Sequence, residues 1–245
     1  MFLSSEEIKT NEQFFKQRYV STCEKCNGRG FVVQDNDGYE ISNTCDCLKK
    51  VKRYVQLLDC GIPKKYLVSE NESKLLKLGK FANDLKEYAE NFQQNYQELN
   101  HLFICGLSYN TSKINSFLIK HISKLKNPDV KNKMFDVSYS LFSDIIKMSF
   151  DSEKSAQLNY TLYKSDVLFI DNVGGEFGRN DNKFSQRFLE NIIRKRDNDC
   201  KLIVLISTLD TKAMESMYGK EISNFIKTNK VIDATEEINI KSFKF

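Results

Sequence analysis

The chain has 245 residues and is 40% hydrophobic and 29% charged, the balance of an ordinary globular protein rather than of a disordered one. This length accommodates one sizeable α/β domain and a small additional module. The net charge of +4 is compatible with nucleic-acid binding but is too small to indicate it. No run approaches the ~18 apolar residues of a membrane span, and the first residues do not resemble a secretory signal, so we expect a cytoplasmic protein with no membrane partner.

The first third of the chain is predicted to contain two helices around a cysteine-rich segment. Residues 1–20 have the apolar side of a short helix, residues 21–50 contain the cysteines, and a second helix is predicted over Leu48–Leu58. A Gly-Ile-Pro turn at 61–63 ends that helix. We therefore divide the chain into a module at 1–60, a linker and helix at 61–99, and a larger domain at 100–245.

Four cysteines occur as two close pairs, Cys23 with Cys26 and Cys45 with Cys47. Zinc in a closed structural site takes four such thiolates, and glycines after the first pair let the backbone turn toward the metal. The spacing predicts a structural zinc site under a small hairpin. A redox Cys-x-x-Cys and unrelated buried thiols are the alternatives, but the redox interpretation leaves the second pair unexplained. The odd total of seven cysteines fits a reducing compartment better than a disulfide scaffold.

The rest of the chain alternates short apolar runs with amphipathic segments, after a helix at about 80–98. This alternation is typical of a parallel sheet covered by helices on both faces, the α/β class. The predicted strands are Leu102–Cys105, Met134–Val137, Val167–Ile170 and Leu202–Ile206, with an edge strand from Ile238, and the predicted helices are Ser116–Leu125, Ser140–Phe150, Phe184–Arg196 and Thr211–Tyr218.

The loop from Gly106 to Lys113 has the position of a phosphate-binding loop, between a strand and a helix. Such a loop needs glycines so that successive N–H groups can surround phosphate oxygens. Here only Gly106 remains, Lys113 falls one residue late, and Ile114 stands where a magnesium-binding hydroxyl belongs. Gly106, Ser112 and Lys113 are the candidate phosphate-binding residues, and an ordinary turn into a helix is the alternative.

A second candidate feature is the apolar strand that ends in Asp171. P-loop ATPases hold magnesium beside the phosphates with such an aspartate, although an ordinary strand-terminal aspartate is also common. The next position normally carries a second acid that orients or deprotonates water, and this chain has Asn172, whose amide cannot take a proton. The two features predict an ATPase architecture with weak or absent hydrolysis.

In the order of these features, from about residue 23 to 232, the chain resembles the DnaC/DnaI-type replicative helicase loaders, a branch of the AAA+ ATPases. Asp166–Gly174 resembles the Walker B strand, Ile206–Leu209 the sensor strand, and Met217–Gly219 the segment before the arginine finger. Such loaders carry three N-terminal elements, and each has a match in this chain. The Cys-x-x-Cys segment is matched by Cys23, Cys26, Gly30 and Phe31, and the Cys-x-Cys by Cys45 and Cys47. The Gly-Ile-Pro-x-x-Tyr element is matched by Gly61, Ile62, Pro63 and Tyr66.

The chain departs from this family at four points of one site. The loop lacks its later glycines, Asn172 replaces the second Walker B acid, and Leu209 occupies the slot of the sensor asparagine. Asn224 and Phe225 stand where the family has a Ser-Arg pair. Because an arginine finger stabilises transition-state charge on a neighbouring γ-phosphate, its loss together with the others indicates that ATP hydrolysis is absent or weak.

The resemblance implies a cytosolic adaptor with structural zinc, whose N-terminal module binds a DnaB-type replicative helicase. It implies that the protein assists loading of the helicase on single-stranded DNA and assembles on the helicase hexamer or as a homo-oligomer. The alternatives are an active ATP- and magnesium-dependent loader that uses Ser112, Lys113 and Asp171, a regulator that mimics a loader and blocks loading, and a transposition helper ATPase.

Basic residues at helix ends are the local candidates for DNA contact, namely Lys120, Lys124, Lys126 and the run 194–196. Charge at a helix C-terminus also suits the helix dipole, so a solvated surface is the simpler interpretation.

Overall fold

The structure, a computed structural model, describes residues 3–37, 39–68, 80–106, 111–131, 133–175 and 182–234. The chain falls into two units, Met1–Pro63 and Lys64–Phe245. Among the described helices, none combines the length and the apolar composition that crossing a bilayer requires.

Two helices form the core of the first unit, α1 (Ser5–Tyr19) and α2 (Asp46–Asp59). Helix α1 begins with a capping box, in which the Ser4 hydroxyl accepts from the Glu7 amide and the Glu7 carboxylate accepts from the Ser4 amide. The fully buried ring of Phe15 meets Tyr54 edge to face, with 5.4 Å between centroids. The predicted helices at both ends of the module are confirmed.

An antiparallel hairpin separates these helices, formed by β1 (Phe31–Asn36) and β2 (Tyr39–Thr44). Its register pairs Phe31 with Thr44 at the base. Nearly every residue of both strands is exposed, so neither face of the hairpin packs against a core. A two-stranded hairpin alone is only marginally stable in water, and this one therefore depends on what holds its base.

The second unit contains a five-stranded, wholly parallel sheet, formed by β3 (Leu102–Cys105), β4 (Val137–Leu141), β5 (Val167–Val173), β6 (Leu202–Ser207) and β7 (Lys230–Asp233). Their spatial order is β4-β5-β6-β3-β7. The central strands are continuous apolar runs because helices cover both of their faces. This confirms the predicted fold class, an α/β domain with a parallel sheet flanked by helices, which follows a small N-terminal module in the chain.

Eight α-helices are described in this unit, and a 3-10 turn at Ser152–Lys154 precedes one of them. They are α3 (Lys64–Val68), α4 (Lys80–Glu90), α5 (Phe92–Gln97), α6 (Thr111–Ile122), α7 (Phe142–Ser149), α8 (Ser155–Tyr163), α9 (Asn182–Asn198) and α10 (Thr211–Thr228). Helix α10 continues past Gly219, whose φ of 78° interrupts the helical geometry.

Several predicted boundaries are wrong. The second strand is Val137–Leu141 rather than Met134–Val137, because the polar Ser138 and Ser140 alternate with its apolar residues and concealed the strand. The helix expected at about 80–98 is two helices, α4 and α5, and neither α8 nor the edge strand β7 was predicted. The strand expected from Ile238 lies outside the described residues.

The charge run at the end of α9 is not wholly solvated, since Arg196 is fully buried. Its guanidinium donates to four backbone carbonyl oxygens, those of Leu162 at 2.7 Å, Leu202 at 2.8 Å, and the adjacent residues 165 and 166 at 3.2 and 3.1 Å. Burial lowers the pKa of Arg196 to about 10, against the attraction of nearby acidic groups. Lys120 is also buried, so two of the six candidate DNA-contacting residues are not available at the surface.

His101 precedes β3 and is buried, with its ring stacked on Phe225. Its Nδ1 accepts from the Ile203 amide at 3.2 Å, and its Nε2 lies 3.5 Å from an Asp197 carboxylate oxygen. Burial lowers the pKa of His101 below its ordinary 6.5, although Asp197 acts to raise it. Protonation is therefore resisted, because Nδ1 would have to give up its acceptor role toward β6.

This environment predicts an acid-sensitive fold. A base whose pKa is lower in the folded state contributes stability above its unfolded pKa, and that stability is lost as the pH falls through the folded pKa. We expect the free energy of unfolding to decrease below pH 6.5, with a contribution from His101 of at most about 1.4 kcal/mol per pH unit. In urea unfolding at several pH values, the free energy of unfolding should depend less steeply on pH in His101→Gln than in the wild type. His121→Gln, which retains His101, should keep the wild-type dependence. Identical slopes in all three proteins would contradict this assignment.

Candidate metal centre and nucleotide-binding corner

The four predicted ligand cysteines lie together in the first unit. Their sulfur atoms are all within 4.8 Å of one another, with 3.9 Å between Cys23 and Cys45 and 3.5 Å between Cys26 and Cys47. Four sulfurs around one tetrahedral zinc at the usual bond length are about 3.8 Å apart. The donor set and its spacing fit a four-cysteine metal centre, and this is the one such cluster among the described residues.

The backbone between the pairs turns as a metal-binding knuckle requires. Asn27, Gly28 and Gly30 have positive φ values of 48°, 77° and 78°. The Gly30 amide donates to the Cys26 sulfur at 3.2 Å, and the Gly30 carbonyl accepts from the Cys45 amide at 2.8 Å. The base of the hairpin is thus connected to both cysteine pairs, and Cys45 is also the N-cap residue of α2.

The thiols differ in how readily they lose a proton. Burial acts to raise the pKa of Cys26, yet the Gly30 amide and the other three thiols lower it to about 7. Burial and the neighbouring thiols instead raise the pKa of Cys47. Because metal ligation requires thiolates, these residues would supply four anionic sulfurs that a metal cation stabilises, and the ion would in turn connect the hairpin to α2.

The nucleotide-binding candidates lie at the carboxyl ends of β3 and β5. Gly106 follows β3 with a φ of 76°, and its amide donates to the Leu209 carbonyl at 3.1 Å. Helix α6 begins at Thr111, so Lys113 lies in its first turn and is partly exposed. Residues 107–110 and the side chain of Ser112 lie outside the described part of the chain. Ile114, which stands where the sequence analysis expects a magnesium-binding hydroxyl, is fully buried.

Asp171 is buried near the end of β5, where a bulge interrupts the pairing with β6. One carboxylate oxygen accepts from the Tyr139 hydroxyl at 2.7 Å and from the Asn115 amide at 2.9 Å. The other accepts from the Asn172 backbone amide at 2.7 Å. Burial raises the pKa of Asp171 although these three donors, with Lys65 at longer range, act to lower it.

Three further positions of the predicted ATPase motifs hold Leu209, Phe225 and Asn172. The Leu209 side chain packs over Gly174, where an added Cβ would come within 2.4 Å of it. Phe225, which the resemblance to loaders aligns with the arginine finger, is buried against His101. Asn172 has a φ of 59° and packs against Gly175. None of these side chains carries a base or a cation.

Sequence reasoning missed three residues of this corner, Tyr66, Asn115 and Tyr139. Tyr66 was noted only as part of the Gly-Ile-Pro-x-x-Tyr element. Asn115 gave a usable signal, because an amide beside Ile114 on the buried side of an amphipathic helix requires a polar partner. Tyr139 gave no such signal, because the predicted strand ended at Val137 and so did not include it.

Comparison with known proteins shows a similarity of fold but does not assign the chain to a family. No protein-family model and no curated protein matches the chain. Domain III of the Thermotoga maritima replication initiation protein DnaA is similar in structure, with a TM-score of 0.52 and 18% identity over 70% of this chain and 68% of that one. The DnaC helicase loader gives a TM-score of 0.45 and 17% identity, covering 74% of this chain and 98% of that chain. DnaI gives 0.49 and 13%, covering 70% and 94%. At such identities the likeness is one of fold.

Proposed function

We propose that the protein is a replicative helicase loader or adaptor, which binds a DnaB-type helicase and assists its loading on single-stranded DNA with weak or absent ATP hydrolysis. The observation that carries this proposal is the combination of a four-cysteine cluster with a parallel α/β domain in which Ile114, Asn172 and Phe225 stand where the resemblance to loaders expects metal-binding or catalytic groups. The order of sequence motifs, from the cysteines through Gly-Ile-Pro-x-x-Tyr to the Walker-like strand, supports the same function.

Binding energy alone can supply the mechanical work of such an adaptor. A closed ring must be held open to admit DNA, and a partner that binds the open form more tightly shifts the ring toward it. Hydrolysis by the adaptor is then unnecessary for opening, and release can follow from the helicase's own nucleotide cycle. Since Phe225 is buried in the finger slot, we infer that copies assemble on the helicase hexamer rather than through an arginine finger.

We place the helicase contact on the hairpin of the first unit. Phe31 and Val33 are exposed on one of its faces, and Tyr39 and Ile41 on the other, with Tyr39 77% exposed. Apolar side chains on both faces suit insertion between two protein surfaces better than docking on one flat surface. For single-stranded DNA, Lys124, Lys126, Arg194 and Lys195 stay as candidates because they are not buried.

Co-purification with the replicative helicase tests this proposal. We expect the wild-type protein to form a stable complex, and the double variant Tyr39→Ser, Ile41→Ser to reduce its affinity by about tenfold or more, the effect of losing two apolar contacts at an interface. Phe150→Ser is the matched control, because Phe150 is similarly exposed, at 72%, but lies in the second unit.

A reconstituted loading assay then separates the functional classes. Stimulation of loading supports the proposal, and inhibition identifies a regulator that blocks loading. Failure of the wild-type protein to bind any replicative helicase would overturn it.

A further inference from the structure

The corner that holds magnesium and phosphate in P-loop ATPases is filled here by protein side chains. The Asp171 oxygen that faces α6 accepts two hydrogen bonds, from Tyr139 and Asn115, and both of its lone pairs are thereby used. The second oxygen already accepts from the Asn172 amide. Three of the about four lone-pair sites of the carboxylate are therefore taken by protein donors, which leaves at most one for a magnesium ion.

A second layer of contacts surrounds these donors. The Tyr66 hydroxyl lies 3.2 Å from the Tyr139 hydroxyl and 3.5 Å from the Asn115 amide nitrogen. The two tyrosine rings meet edge to face at 5.4 Å, and the Tyr66 carbonyl accepts from the Ser116 hydroxyl at 2.6 Å. The hydroxyls and the carboxylate thus form one buried network that connects α3, α6, β4 and β5.

The composition of this network does not fit magnesium-bound nucleotide. Exposure is 3% for Tyr66, 0% for Asn115, 6% for Tyr139 and 5% for Asp171, so the network is closed to solvent. Ile114 replaces the hydroxyl that would share the metal. In a magnesium-bound nucleotide site, the metal and the phosphate would join α6 to β5. Here the hydrogen bond from Asn115 of α6 to Asp171 of β5 joins these two elements directly.

We infer that Tyr66, Asn115, Tyr139 and Asp171 form an internal lock that replaces the magnesium–phosphate bridge, so that the second unit keeps one conformation whether or not nucleotide is present. Asp171 acts in it as a hydrogen-bond acceptor rather than as a metal ligand. The lock concerns this unit alone, and its tests need no helicase, so its failure is distinguishable from failure of the proposed loading function.

Thermal unfolding of the full chain tests the lock. The melting temperature of the wild-type protein should be the same with Mg-ATP, with magnesium alone and with neither. Tyr139→Phe leaves a buried carboxylate short of a donor and should lower the melting temperature by roughly 3–10 °C. Tyr160→Phe is the matched control, because its hydroxyl donates to the Asp136 carboxylate in a solvent-exposed hydrogen bond, and we expect no measurable change.

A double-mutant cycle shows whether the tyrosine acts through the carboxylate. In an Asp171→Asn background, Tyr139→Phe should lower the melting temperature by less than it does in the wild type. Two results would overturn the inference. One is that the two changes add fully. The other is that Mg-ATP raises the wild-type melting temperature by several degrees and Asp171→Asn abolishes that rise, since Asp171 would then be a working metal ligand.

Discussion

Replacing Cys26 with serine should remove the metal from the first unit and unfold its hairpin. Cys26 is buried, its sulfur lies 3.5 Å from that of Cys47, and it accepts the Gly30 amide. A serine hydroxyl is a poor zinc ligand, and three remaining thiolates leave an open coordination position. Because metal binding and folding are one equilibrium in such small modules, we expect zinc content to fall from about one ion per chain to near zero.

Elemental analysis and limited proteolysis of the full chain measure this effect. The hairpin, which has no packed face, should become sensitive to protease while residues of the second unit stay resistant. Cys200→Ser is the control, because Cys200 is exposed and outside the cluster, and it should retain metal and resistance. A Cys26→Ser protein that binds zinc normally would show that the cluster is not a metal centre.

The second large effect is expected for Arg196→Met. The guanidinium donates to four carbonyl oxygens in three buried hydrogen bonds, two of them to Leu162 and Leu202, and one partly buried one, and no apolar side chain can donate to them. Methionine relieves the burial of the charge but removes the guanidinium donor from all four oxygens, of which only that of residue 166 is known to keep another donor, the Leu202 amide at 3.1 Å. We expect a loss of about 3 kcal/mol in the free energy of unfolding, a fall of roughly 6–12 °C in melting temperature.

Arg194→Met is the control for this prediction. Arg194 is 63% exposed and its contact with Glu221, at 3.6 Å, is a surface ion pair, so the change should stay within about 0.5 kcal/mol. Equal stability of the two variants in urea unfolding would contradict the role assigned to Arg196. Reduced DNA binding by Arg194→Met alone would favour a DNA contact at this helix end.

The sequence was most informative where chemistry is local. The spacing of Cys23, Cys26, Cys45 and Cys47 predicted a cluster that the structure brings within 4.8 Å. Continuous apolar strands predicted a parallel sheet because strands covered on both faces need no polar alternation. The strand that contains Ser138 and Ser140 was misplaced for the same reason, since polar residues in a sheet defeat a pattern based on apolar runs.

The sequence also predicted an eroded nucleotide site, because each group expected there has a fixed place in a motif. It did not indicate which side chains surround Asp171. Tyr66 and Tyr139 are 73 residues apart, and only the packing of α3 against β4 and α6 brings their hydroxyls to 3.2 Å. Nothing in a local pattern distinguishes a tyrosine that donates to Asp171 from one that fills a core.

The sequence by itself determined the cysteine cluster, the α/β class and the presence of the amide Asn172, rather than an acid, beside Asp171. The tertiary structure decided that Arg196 is buried and that Asp171 is already hydrogen-bonded. The physical reason is that ligand spacing and strand periodicity are properties of neighbouring residues, whereas the partner of a buried polar group is set by elements far apart in the chain.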